Sequence, residues 1–214
     1  IVAPPPAEDE RAQVRFVNAV TDGQPVNAYV GDTLVGENVG YSQWADWIDV
    51  RSGEQDVVLR TGEVIQLNDL YVFEPGERYL ILAYGSYSPV HNNTPLMLMI
   101  HPEERLNETE EDTFIRFTNV IPDGDAYGFV VTTDGGWSLL FPRQDVGTIS
   151  EYKHGPVYAN SFELIPARNT SLPAVYSWED NLQLGMLYTF IATGRIGNGT
   201  VQVFAVTDAQ ALSD

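Results

Sequence analysis

Three histidines, thirty acidic side chains and four tryptophans are the groups in this 214-residue chain with chemistry to offer. His91, His101 and His154 stand apart, with no His-Glu-x-x-His or His-x-His spacing, so the sequence supplies no zinc-binding pattern. There is no Gly-x-Ser-x-Gly elbow, no Walker loop and no Gly-x-Gly-x-x-Gly opening a helix. Close carboxylate pairs abound, but thirty acids guarantee them, so they do not mark a glycosidase. The expectation is a protein that is not an enzyme and needs no cofactor. A structural calcium stays open, because Asp123-Gly124-Asp125 and Glu110-Glu111-Asp112 could supply oxygen ligands, although no EF-hand loop exists. Trp44, Trp47, Trp137 and Trp178 could stack on sugars. Trp44 and Trp47 are three apart and face opposite sides of a regular strand, so one packs in the core and the other is exposed, or a bulge intervenes. Core packing is the favoured role.

Charge narrows the partners. The net charge is −19, and Lys153 is the one lysine beside ten arginines. Phosphate contacts need clustered Lys and Arg, so nucleic acid is excluded as a partner, and anionic membrane surfaces are disfavoured. No apolar run approaches the ~18–20 residues of a membrane span, so no membrane insertion is expected. There are no cysteines, which removes disulfides, thiolate metal sites and Cys nucleophiles. The chain opens at Ile1 with neither Met nor a signal sequence, which suggests a processed N-terminus; a shortened chain is the alternative. Asn-x-Ser/Thr sequons stand at Asn92, Asn107, Asn169 and Asn198, all where loops or strand ends are expected. N-linked glycans on exposed loops fit an extracellular or cell-surface glycoprotein.

The elements that must position these residues come from a repeat. Val14-Arg15-Phe16-Val17-Asn18-Ala19-Val20-Thr21-Asp22-Gly23 returns as Ile115-Arg116-Phe117-Thr118-Asn119-Val120-Ile121-Pro122-Asp123-Gly124 at one offset (116 − 15 = 101). A period this long signals tandem domains rather than a solenoid. Short runs with partial alternation, punctuated by turn clusters and without a helical period, predict an all-β protein. The fold class is two tandem antiparallel β-sandwich domains of the Ig-like, Greek-key type. Residues 11–102 form the first and 113–208 the second, with an acidic linker at 103–112 and a tail at 209–214. Arg78–Gly85 reads as a buried central strand from its apolar run. Tyr188–Gly194 echoes it at a larger offset (188 − 79 = 109), so the second copy carries insertions, placed at Pro166–Pro173. Arg15 and Arg116 are expected to be paired with a carboxylate on the sheet, since a buried arginine needs a partner. Residues 1–10 form an extended proline-rich arm.

The Val-Arg-Phe-Val-Asn-Ala strand, Asp-Gly-x-Pro-Val-x-x-Tyr-Val, Asn38-Val39-Gly40-Tyr41 and a later Tyr-x-x-x-Ala-x-Gly strand resemble the DUF4397 family. The resemblance covers the first domain well; in the second it covers the opening strand and Tyr188–Gly194. It implies β-sandwich domains of secreted and envelope proteins of archaea and bacteria, often in tandem, and carries no established catalytic residues. The functional expectation is a non-catalytic extracellular structural protein. It would self-assemble into a filament or layer as a homo-polymer through heterologous contacts. Ile1, Val2, Ala3, Pro4, Pro5 and Pro6 are the subunit-contact candidates, docking on a neighbour as an added strand. The alternative is a carbohydrate- or ligand-binding adhesion module.

Overall fold

The computed structural model describes residues 11–87, 95–103, 106, 112–156, 158–197 and 199–209. The candidates Ile1–Pro6 and the sequons at Asn92, Asn107 and Asn198 lie outside the described residues, as do His91, Glu110 and Glu111. The chain divides into two compact units, Ile1–Arg105 and Leu106–Asp214. All regular structure among the described residues is β.

Unit 1 holds nine strands: β1 (Arg11–Asn18), β2 (Val26–Val30), β3 (Thr33–Val39), β4 (Gln43–Trp44), β5 (Ile48–Arg51), β6 (Gly53–Thr61), β7 (Val64–Phe73), β8 (Arg78–Tyr84) and β9 (Met97–Pro102). One sheet runs β4-β1-β8-β9, with β5 also on β1; the other runs β3-β2-β6-β7. Apolar residues from both sheets close a core around Phe16, Val26, Val57, Leu59, Phe73 and Ile81. Every pairing is antiparallel except β1 with β8, which is parallel from Gln13↔Arg78 to Asn18↔Ala83. The partly alternating stretch Tyr41–Val50 holds two short strands, β4 and β5. Both halves pair with β1, and the backbone between them leaves the sheet.

Unit 2 repeats this plan strand for strand: β10 (Phe114–Asn119), β11 (Tyr127–Thr133), β12 (Gly136–Gln144), β13 (Thr148–Ile149), β14 (Lys153–His154), β15 (Tyr158–Pro166), β16 (Tyr176–Leu182), β17 (Met186–Thr193) and β18 (Gln202–Ala209). Its sheets run β13-β10-β17-β18, with β14 on β10, and β12-β11-β15-β16. Again one pair, β10 with β17, is parallel. The insertion is split: the offset rises from 101 to 105 across the β11–β12 hairpin and from 105 to 109 across residues 167–175 between β15 and β16, so the expected loop holds half of it.

The two cores are filled differently. Phe16 and Phe117 are both fully buried anchors. Beside Phe16 stands Ala28, a residue of no bulk; the same position in unit 2 is Phe129. Its ring lies 5.1 Å from Phe117, 5.8 Å from Phe141, 5.7 Å from Phe162 and 5.3 Å from Phe190. A valine-rich core and a phenylalanine-rich core thus occupy one topology, as cores do when total volume and patterning are kept.

The ends of β8 and β17 are fixed by glycine. Gly85 has φ +94° and Gly194 φ +96°, and a Cβ would overlap Pro95 O in the first case and Thr200 O in the second. Gly85→Ala and Gly194→Ala should each lower stability by about 2–4 kcal/mol, since backbone strain and a clash with main chain combine. Urea unfolding of each variant checks this; a loss below about 1 kcal/mol would show that the turn can relax.

Candidate functional site

The repeated residues are framework. Arg15 is 6 % and Arg116 3 % exposed. The Arg15 guanidinium lies 4.7 Å over the Trp47 ring, and Arg78 covers that ring at 5.3 Å. Arg116 lies 4.6 Å over Tyr152 and donates from Nε to Thr189 Oγ1 at 2.9 Å. Trp47 and Tyr152 occupy the same position, one residue before β5 and β14. Each aromatic face stabilises the guanidinium it covers, by about 2 kcal/mol when desolvated. Asn18 donates to Val39 O at 2.9 Å and accepts from Val20 N–H at 3.0 Å; Asn119 donates to Gln144 O and accepts from Ile121 N–H. Asp22 accepts from Ser86 Oγ and Tyr87 N–H, and Asp123 accepts from Ile196 and Gly197 N–H. Tyr79 and Tyr188 each accept a backbone N–H from five residues upstream, Glu74 and Gln183, at 2.9 Å. That is the geometry of a tyrosine corner.

Asp123 thus spends both carboxylate oxygens on backbone amides, and Asp125 is engaged by Arg168. No group of three or more potential metal ligands occurs among the described residues. His154 is exposed, 3.7 Å from Asp112 and stacked near Phe114. Trp178 packs in the unit 2 core against Phe129 and Phe162, as favoured for the tryptophans, whereas Trp137 is 67 % exposed. Trp44 and Trp47 depart from that expectation: neither enters the core. Asn169 is exposed in the 167–175 loop, where its Oδ1 accepts from Ser171 N–H.

Two surface features remain, both in unit 1. The first is an open groove of about 450 Å³, lined by Glu37, Asn38, Val39, Ser42, Gln43, Trp44 and Ala45. Among the described residues, Asn38 (φ 47°) and Ser42 (φ 58°) are the non-glycine residues with positive φ, and both line it. The loop is pinned from below: Ser42 N–H donates to Asn18 O, Ala45 N–H to Phe16 O, and Asn38 N–H to Asn27 Oδ1. Gln43 Oε1 accepts from Gly40 N–H at 3.0 Å, which fixes the amide plane. Trp44 is 38 % exposed at the rim. Sequence reasoning named Trp44 as a stacking candidate but missed the polar residues around it; the one signal was Asn38-Val39-Gly40-Tyr41.

The second feature is β7, the end strand of its sheet among the described residues. Its outward residues Leu70 and Val72 are 54 % and 51 % exposed, and Val64 and Ile65 are exposed at the start of the strand. By register on β6 and β15, Leu70 corresponds to Glu179 on β16, since Asp56↔Leu70 matches Ser161↔Glu179. Val72 likewise corresponds to Asn181. The equivalent edge of unit 2 is therefore polar and charged.

A model of the family described as a domain of unknown function, DUF4397, matches residues 12–129. The chain belongs to the DUF4397 family. The match covers unit 1 and the opening of unit 2, the same part whose residues carry the family pattern. No curated protein matches the sequence. Among solved structures, the Bacillus anthracis TIE protein is similar at 10 % identity and TM-score 0.30, over 87 % of this chain and 34 % of that one. The chain therefore spans about a third of that protein's length. A protein proposed to act in cell adhesion, from Bacteroides uniformis, is similar at 9 % identity and TM-score 0.28, over 95 % of this chain and 100 % of that one. Superpositions this loose carry no inference about function.

Tyr87 ties the Asp22 latch to pH. Its ring lies against Gly23, where a Cβ would overlap it. Burial, and then the negative charge of Asp22, push its phenol up to about 12. The unfolded phenol ionises near 10, so the stabilising difference is present below pH 10 and lost as pH rises to about 12. Thermal unfolding from pH 9 to 12 should therefore show a fall in Tm that Tyr87→Phe flattens. An unchanged slope in that variant would remove Tyr87 from the account.

Proposed function

We propose that this DUF4397 chain is a non-catalytic extracellular module of the cell surface that joins copies of itself by strand addition. The segment before β1 in one copy, Ile1-Val2-Ala3-Pro4-Pro5-Pro6, lies along edge β7 of another. The carrying observation is the contrast between the two edges. Natural sheets protect free edges with charge; where β16 has the outward Glu179 and Asn181, β7 presents Leu70 and Val72, and its exposed charge is Asp69, which accepts from Leu70 N–H. Ten residues of arm reach at most about 35 Å, and a ten-residue strand spans about 33 Å, so the lengths are commensurate. Ile1, Val2 and Ala3 supply the apolar side chains that such an edge accepts, and the prolines limit the entropy lost on ordering. Donor and acceptor are different surfaces, so the contact is heterologous and builds a filament or layer. Asn169 would carry a glycan on the 167–175 loop of unit 2.

A net charge of −19 opposes association. Assembly should therefore strengthen as ionic strength rises from about 10 to 150 mM, where the Debye length falls from about 30 to 8 Å. Light scattering and negative-stain electron microscopy at both salt concentrations read this out. Removal of residues 1–10 and Leu70→Lys should each abolish the assembly, and the same change at Trp137, Trp137→Lys, should not. Assembly that survives both the deletion and Leu70→Lys would refute strand addition.

A further inference from the structure

We propose that the groove around Trp44 binds a neutral saccharide, with one sugar ring stacked on the indole. The site is built from different residues than the β7 edge and does not depend on the assembly reading. Four observations lead to it. The indole is exposed although it stands on a strand, β4, that pairs with the central strand β1. The surrounding side chains are an amide (Asn38), a second amide (Gln43), a hydroxyl (Ser42) and a carboxylate (Glu37). Gln43 is pre-oriented, because Gly40 N–H occupies its Oε1 and leaves its NH2 as a donor. The volume falls within the roughly 300–1,000 Å³ of small-molecule sites.

That set of groups selects the ligand chemistry. A pyranose presents an apolar C–H face to an aromatic ring and a rim of hydroxyls that both donate and accept. Amides, a hydroxyl and a carboxylate answer that rim. Among the described residues no Lys or Arg lines the groove, so a phosphate, sulfate or uronate would meet no cation from them and would face Glu37 instead. The groove is open and only Val39, Trp44 and Ala45 are apolar, which does not suit a lipid chain.

Unit 2 shows what the position looks like without this use. The register of β4 and β13 on β1 and β10 equates Trp44 with Ile149 and Gln43 with Thr148. The counterpart of Ser42 is Gly147, with φ 75°. Unit 2 meets the left-handed turn with the residue that adopts it freely, whereas unit 1 holds side chains there at a cost of about 1–3 kcal/mol each. The counterpart of Asn38 is Arg143, which is ion-paired to Asp145 at 2.6 Å. The saccharide groups therefore belong to unit 1 alone: the left-handed turn at Ser42 recurs at Gly147, but the one at Asn38 does not recur at Arg143.

The test uses the intact chain on a glycan array. It is followed by titration with trimers of β-1,4-linked glucose and of β-1,4-linked N-acetylglucosamine while the four indole N–H signals are observed by NMR. Trp44→Phe identifies the Trp44 signal. Neutral glycans should bind, at least one trimer should shift the Trp44 indole and leave Trp137 unmoved, and Trp44→Ala should weaken binding by about tenfold or more. Trp44→Phe, which keeps a stacking face, should retain part of the affinity, and Asn38→Ala should lower it. Binding confined to anionic glycans or to peptides, binding unchanged in Trp44→Ala, or no neutral glycan bound would each overturn the proposal.

Discussion

The parallel pairing of a unit's first strand with its eighth is the constraint on which this fold depends. A parallel pair needs a long crossover and is slightly less stable per residue than an antiparallel one. Here it runs through the middle of a sheet, and Val14, Phe16, Val17, Leu80, Ile81 and Leu82 are all buried along it. Each unpaired backbone group at such a site would cost about 1–3 kcal/mol. The repeated side chains answer that demand. Asn18 and Asn119 satisfy backbone groups where the first strand ends. Asp22 and Asp123 hold the loop that follows the parallel partner. Tyr79 and Tyr188 cap the turn that precedes it. Arg15 and Arg116 close one face under an aromatic ring.

Because these devices service backbone rather than substrate, they recur in both units while everything between them drifts. The core tolerates exchange of Ala28 for Phe129, and of the Asp69 register position for Trp178, as long as volume is redistributed. Phe129, Phe162 and Trp178 stand where unit 1 has Ala28, Val57 and Asp69. The hydrophobic effect rewards area buried, not residue identity, so the middle of the second copy lost its sequence likeness without losing its fold.

The surfaces diverge further. Unit 1 carries a strained loop with an exposed tryptophan and an end strand with apolar outward residues; unit 2 has glycine, isoleucine and a charged edge at the same places. Binding and assembly properties grafted onto a repeated scaffold are expected to differ between its copies, since selection for the fold does not constrain exposed positions.

The sequence by itself determined the duplication, the all-β class, the buried strand Arg78–Gly85 and one of the two places where the second copy is longer. These follow from spacing, turn residues and apolar runs, which act locally. It also marked Arg15 and Arg116 as buried charges and Trp44 as a stacking candidate. Only the tertiary structure decided that the central pair is parallel, because the direction of a partner distant in sequence leaves no local trace. It alone showed that Trp47 is a lid on Arg15 and Arg78 rather than core, that Asp123 latches the backbone at Ile196 and Gly197, and that unit 2 keeps the full strand plan. The groove was illegible for the same reason: Glu37, Asn38, Ser42 and Gln43 are ordinary loop residues until the backbone turns through two left-handed positions and sets them around an indole.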